Sequence, residues 1–268
     1  MTSHDGGTVR WHAVAVPGIG HRIPVRVYEP PVPPSGWLVW AHGGSWTAGS
    51  VADWHPACAD LAAASGCTVV SVDYRLAPAH RHPAAVRDVL AVASWVEETA
   101  GPVPIVVGGD SAGGTIAACA ALVRRDQQGR PFAGQVLAYP PLDPDCRATS
   151  FTRFPDGFPS RDWMLTAWRA YRGSRPDPTW YSTPFEVADL AGAPAAVLAV
   201  GDRDPVGDDT IEYARRLRAS GCAVTLRRLP MSGHGTFPLP GPGAELRGWL
   251  GNALRPLLTK QHTRGATS

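Results

Sequence analysis

The chain has 268 residues, 44% of them hydrophobic, and a formal net charge of +2 at pH 7. That length and apolar content suit one large α/β domain with a sizeable core, and the near-balanced charge argues against nucleic acid or any strongly charged partner. The only lysine is Lys260, and five scattered cysteines (Cys58, Cys67, Cys119, Cys146 and Cys222) form no C-x-x-C, so they read as buried small hydrophobes in a reducing compartment.

From Met1 to Gly20 there is no apolar signal-like run, and no stretch of about 18 apolar residues occurs anywhere. A cytoplasmic protein without a membrane segment is expected. Val9 to Val16 and Arg22 to Tyr28 alternate on either side of Pro17-Gly18 and predict an opening hairpin. Pro30 to Pro34 is a stiff connector, and Trp37 to Ala41 is a continuous apolar run of the kind buried on both faces of a sheet. It runs into His42-Gly43-Gly44-Ser45-Trp46. A helix is expected over 53–65, a buried strand from Cys67 to Tyr74, and an amphipathic helix from Pro83 to Thr99 with Val86, Leu90, Ala93 and Val96 on one face.

Next comes the most informative stretch. Ile105-Val106-Val107 is a short β-branched run, and Thr115 to Leu122 is a run of small residues that reads as helix, ending near Gly129. Between them lies Gly109-Asp110-Ser111-Ala112-Gly113-Gly114, a strand–turn–helix with serine at the apex of G-x-S-x-G. A turn this sharp brings backbones nearly into contact, so side chains at 109 and 113 would clash. Gly134 to Tyr139 predicts the next strand. From Asp143 to Tyr181 the alternation breaks into a proline- and aromatic-rich segment, with room for one helix at about Arg161 to Tyr171. Such a segment reads as an inserted lid within the single domain 1–268. The alternation resumes with a strand at Ala195 to Val200, a helix at Thr210 to Ala219, a strand at Ala223 to Leu229 and a helix at Ala244 to Leu258, before a frayed tail at 259–268. Strands alternating with helices imply a mostly parallel central sheet covered on both faces.

A serine hydroxyl becomes a good nucleophile when a base takes its proton and an acid orients that base. For a serine on this kind of turn the partners follow in the order acid, then histidine. Only His234 and His262 follow Ser111, and His262 lies in the tail, which leaves His234, just past a strand and between two glycines, as the base. Asp202, Asp204, Asp208 and Asp209 all crowd the end of the strand before it, and physics alone does not separate them, although 208 or 209 could cap the following helix. An oxyanion needs unobstructed backbone N–H groups. His42-Gly43-Gly44-Ser45 after a buried strand, together with Ala112 N–H, supplies them.

With these pieces in place the chain resembles the hormone-sensitive-lipase-like family of α/β-hydrolases, which includes bacterial carboxylesterases, over nearly its whole length. The likeness rests on His42-Gly43-Gly44, Asp73-Tyr74-Arg75-Leu76-Ala77-Pro78, Pro83-Ala84-Ala85-Val86, Gly109 to Gly114, Asp204-Pro205 and His234-Gly235. The resemblance implies an α/β-hydrolase fold and a serine esterase acting through an acyl-enzyme. It makes the aspartate before proline, Asp204, the acid, and it maps the oxyanion donors to Gly44, Ser45 and Ala112, with Gly43 supporting the turn. Departures are Ser45 in place of a third glycine, Ala79 where the family has glutamate, Thr236 where it has phenylalanine, and strand pattern already by about Val9 in place of a longer N-terminal cap.

The expected substrate is a small, rather apolar ester, with Trp46, Phe154, Phe158 and Trp163 at its site and no metal or organic cofactor. His42-Gly43-Gly44-Ser45-Trp46 also resembles the His-Gly-Gly-x-Trp of kynurenine formamidases, which makes an amide or aryl-formamide the alternative substrate. Acyl transfer and a non-catalytic small-molecule receptor are further alternatives, and a homodimer is left open.

Overall fold

A computed structural model describes residues 8–173, 177 and 179–259. The chain opens with β1 (Arg10–Gly18) and β2 (His21–Glu29), an antiparallel hairpin. It turns at Ile19-Gly20, later than the Pro17-Gly18 break suggests, because Pro17 pairs with Arg22 and Gly18 with His21 as the last rungs of β1. Proline is tolerated there because β1 is an edge strand. The remaining strands are β3 (Trp37–Ala41), β4 (Thr68–Val72), β5 (Ile105–Asp110), β6 (Gly134–Ala138), β7 (Ala196–Gly201) and β8 (Val224–Leu229). They complete an eight-stranded sheet in the order β1-β2-β4-β3-β5-β6-β7-β8, parallel from β4 onward.

Helices α1 (His55–Ser65), α2 (Ala84–Ala100), α3 (Ala112–Asp126), α6 (Gly207–Ala219) and α7 (Pro242–Thr259) cover the sheet. Two shorter helices, α4 (Ser150–Arg153) and α5 (Arg161–Arg172), lie in the 143–181 segment. Successive strand residues face opposite sides, as the two-residue period requires. Val39, Val107, Leu137 and Leu198 join the core under α2, α3 and α6. Leu38, Trp40, Val106, Val136 and Val197 join the core under α1 and α7. Strands buried on both sides explain the continuous apolar runs in the sequence. Of the tail expected to fray at 259–268, Thr259 is instead the last helical residue; the rest, with His262, lies outside the described residues.

Asp208 and Asp209 do more than occupy the first turn of α6. The Asp208 carboxylate accepts from Ser150 N–H (2.9 Å) and Thr149 Oγ1 (2.8 Å), and Asp209 accepts from the backbone N–H groups of Leu142 (2.7 Å) and Asp143 (3.0 Å). Both carboxylates therefore tie the 142–153 segment to the body, where a capping role within α6 is the expectation from sequence. Burial pushes the Asp209 carboxyl up to about 7, against the pull of its two amide donors.

Candidate active site

The carboxyl ends of the parallel strands converge on one face of the sheet, which is where open α/β sheets build their sites. β5 ends at Asp110 and α3 begins at Ala112, so the single residue Ser111 makes the whole turn, at φ 52° and ψ −123°. A side chain rarely adopts that backbone, and strain of this kind is held only where the surroundings determine it. Here they do: a Cβ on Gly109 would fall on the backbone of Gly113, and one on Gly113 would fall on the carbonyl of Ala41. Ser111 N–H donates to the Ala138 carbonyl (2.8 Å), fixing the turn against β6.

Ser111 Oγ lies 2.7 Å from His234 Nε2. On the other side of the ring, Nδ1 lies 2.9 Å from Asp204 Oδ2 and 3.2 Å from Oδ1. The Asp204 carboxylate is fully buried and the His234 ring is 4% exposed. Asp204 Oδ1 also accepts from Val206 N–H (2.9 Å), so the carboxylate is held from two directions. Asp202 takes no part in this chain of bonds; its N–H donates to the Leu229 carbonyl, and its Oδ1 is buried with no partner among the described residues. The loop carrying His234 is braced by Tyr139, whose ring meets the imidazole edge-on at 4.9 Å and whose hydroxyl accepts from Phe237 N–H. Thr236, the departure after His-Gly, closes the same loop by donating to the Gly233 carbonyl (3.1 Å).

After β3 the chain makes a tight turn in which the N–H groups of Thr47 and Ala48 both donate to the Gly44 carbonyl (3.0 Å each). Gly44 has φ 113°, and a Cβ there would meet the Ala48 carbonyl. Gly43, Gly44 and Ser45 border the cavity over Ser111. Ala112 sits buried beside it at the first position of α3, where backbone N–H groups have no intrahelical acceptor. His42 is buried and stacked on Tyr74 at 4.3 Å. Burial holds its pKa down, so the neutral ring donates from Nδ1 to the Gly43 carbonyl (2.7 Å).

The cavity has a volume of about 320 Å³. Phe158 and Trp163 line it, and both are exposed at its rim. Two expected contacts are corrected. Trp46 is 1% exposed and faces away, stacked on Tyr171 at 4.7 Å and against Trp168 at 4.3 Å, so it anchors α5 instead of meeting substrate. Phe154 is half-buried under the Arg153 guanidinium and does not line the cavity.

Trp54 and Asp110 belong to the site and were not anticipated from sequence. Asp110 accepts from Trp54 Nε1 (2.9 Å) and Trp40 Nε1 (3.3 Å), and Gly43 N–H also points to it. Burial raises its carboxyl to about 7 despite these donors. The available signal was its place, directly before the serine in G-x-S-x-G. Among the described residues no group of three or more His, Cys, Asp or Glu is arranged to hold a metal ion, and no helix is long and apolar enough to cross a membrane.

A family model described as alpha/beta hydrolase fold matches residues 38–238. Carboxylesterase NlhH of Mycobacterium tuberculosis is 39% identical over 236 residues, covering 83% of this chain and 74% of that protein. Carboxylic ester hydrolase LipN of the same species is 37% identical over 271 residues, covering 92% of this chain and 70% of that protein. Among solved structures, esterase LipW from Mycobacterium marinum superposes with a TM-score of 0.85 at 33% identity, over 94% of this chain and 82% of that one.

Proposed function

Because this chain belongs to the hormone-sensitive-lipase-like family of α/β-hydrolases and is a carboxylic ester hydrolase, we propose that it works through Ser111, His234 and Asp204 on small, rather apolar esters. The observation that carries this reading is the unbroken chain of bonds from Ser111 Oγ to His234 Nε2 (2.7 Å) and from Nδ1 to Asp204 Oδ2 (2.9 Å). His234 takes the serine proton as Oγ attacks the ester carbonyl, and Asp204 stabilises the imidazolium and fixes its tautomer. The oxyanion is received by the N–H groups of Gly44, Ser45 and Ala112, with Gly43 supporting the turn. His234 then returns its proton to the departing alcohol, leaving an acyl group on Ser111. A water molecule deprotonated by the same imidazole attacks the acyl group, and the acid is released.

The size of the substrate follows from the cavity. At about 320 Å³ it is near the lower end for small-molecule sites, and Trp54, Phe158, Pro159, Trp163 and Pro238 give it a largely apolar wall. The 143–181 segment acts as the lid. The five cysteines are all free, which supports a reducing compartment such as the cytoplasm. Ser111→Ala tests the reading: kcat on p-nitrophenyl acetate should fall on the order of 10⁴–10⁶-fold. A variant that keeps a tenth of the wild-type rate would end it.

A further inference from the structure

A second cavity, of about 380 Å³, lies against the first. The two share Ser45, Thr47 and Trp163 as a common wall. That wall is latched, because Trp163 Nε1 donates to Ser45 Oγ (3.1 Å). Ser45 is the residue that departs from glycine in the oxyanion loop, so the latch depends on a side chain the resemblance does not supply. One face of α5 forms the rest of the chamber, with Ala167 and Ala170 leaving its floor open.

The chemistry of the chamber is lopsided. The polar residues lining it are Ser45, Thr47, Ser160, Asp162 and Thr166, and among the described residues no Arg, Lys or His lines it. Asp162 lies in the first turn of α5, where its full negative charge exceeds the roughly half positive charge of a helix N-terminus. The arginine before it is turned away, with Arg161 Nε donating to the Cys146 carbonyl (3.0 Å). Trp163 lines the same chamber and is exposed, and an indole attracts cations to its face. An acidic residue, an exposed indole and several hydroxyl-bearing residues, with no cationic side chain among the described lining residues, suit an ammonium group.

We propose that this chamber is a subsite for a cationic end of the substrate, so that the enzyme prefers esters bearing an ammonium group remote from the scissile carbonyl. The inference rests on the reading of Ser111 as nucleophile only for the location of the carbonyl. Trp163 and Ser45 form the partition past which the cationic arm reaches, and Asp162 receives it.

The test uses isosteric pairs that differ only in charge. Acetylcholine is compared with 3,3-dimethylbutyl acetate, which places the cation on the alcohol side. The p-nitrophenyl esters of 4-(trimethylammonio)butyrate and 5,5-dimethylhexanoate place it on the acyl side. Each kcat/KM is divided by that of the same preparation on p-nitrophenyl acetate, which removes differences in folding and in the catalytic step. In at least one pair the wild type should favour the cation about three- to tenfold, and added salt should shrink the preference. Asp162→Asn should bring the ratio close to one, and Thr166→Arg should push it below one. A wild-type ratio near one in both pairs, or a preference that Asp162→Asn leaves intact, overturns the proposal. Should the protein hydrolyse none of these esters, the reading of Ser111 fails by itself. Saturation-transfer NMR then decides the subsite: choline must show stronger transfer than 3,3-dimethylbutanol, and Asp162→Asn must abolish the difference.

Discussion

At the scale of single residues the acid is the most discriminating choice. Two aspartates separated by one residue end the same strand, and the Asp204 carboxylate alone meets the imidazole, at 2.9 Å. An asparagine at the acid position favours the wrong imidazole tautomer and costs about 10⁴ in kcat in the serine-protease precedent. Asp204→Asn should therefore lose activity on that order, whereas Asp202→Asn should stay within about tenfold of wild type, measured as kcat on p-nitrophenyl acetate. The reverse order would move the acid to Asp202. His234→Ala combined with Ser111→Ala should lose little more than either change alone, since the residues act as a unit.

At the scale of elements, α5 is held by rings whose direction no sequence period encodes. Trp46 leaves the turn after β3 and packs into Trp168 and Tyr171 of α5. Trp46→Ala should therefore destabilise the protein by about 3–5 kcal/mol, read as a lower urea midpoint. An unchanged midpoint with altered acyl-chain preference would return Trp46 to the substrate wall. Strands, helices and the serine turn were legible because their signals are local: two-residue and 3.6-residue periods, and glycines where Cβ atoms would collide. The acid could be chosen only through family resemblance, because Asp202, Asp204, Asp208 and Asp209 are equivalent by position. The Asp110–Trp54 bond spans 56 residues, and nothing near either residue announces it. Phe154 and Phe158 look alike in sequence, yet Phe158 lines the cavity and Phe154 lies under Arg153. The difference is set by how the turn between α4 and α5 folds back on the body.

At the scale of the whole molecule, two buried carboxyls make stability depend on pH in an unusual direction. Asp110 and Asp209 are both raised to about 7 by burial, whereas an unfolded chain releases these protons near ~3.9. Between those values these two groups bind more protons in the folded state than in the unfolded, so their contribution to stability falls as pH rises from about 4 to about 7. His42, His55 and His82, held below the ordinary imidazole value by burial, contribute in the opposite sense below about 6.5. Each group contributes a slope of up to about 1.4 kcal/mol per pH unit in that window. Asp143 and Asp208, held low by their hydrogen bonds to Arg147 and to Thr149 and Arg153, act only below it. Asp209→Asn keeps an oxygen to accept from Leu142 and Asp143 N–H but removes the charge. Urea unfolding at several pH values should therefore show the variant gaining stability relative to wild type as pH rises from about 4 to about 7. A stability difference between variant and wild type that stays constant from about pH 4 to about pH 7 would contradict this.

The central claim, a nucleophilic Ser111 in a chain of bonds to His234 and Asp204, is tested most directly by trapping it. Treatment with diethyl p-nitrophenyl phosphate, followed by peptide mass spectrometry, should give one covalent phosphoryl adduct, on the peptide containing Ser111. Activity should be lost in proportion to labelling, and Ser111→Ala protein should remain unlabelled. A stoichiometric adduct on another residue, or full esterase activity after complete labelling of Ser111, would contradict the account.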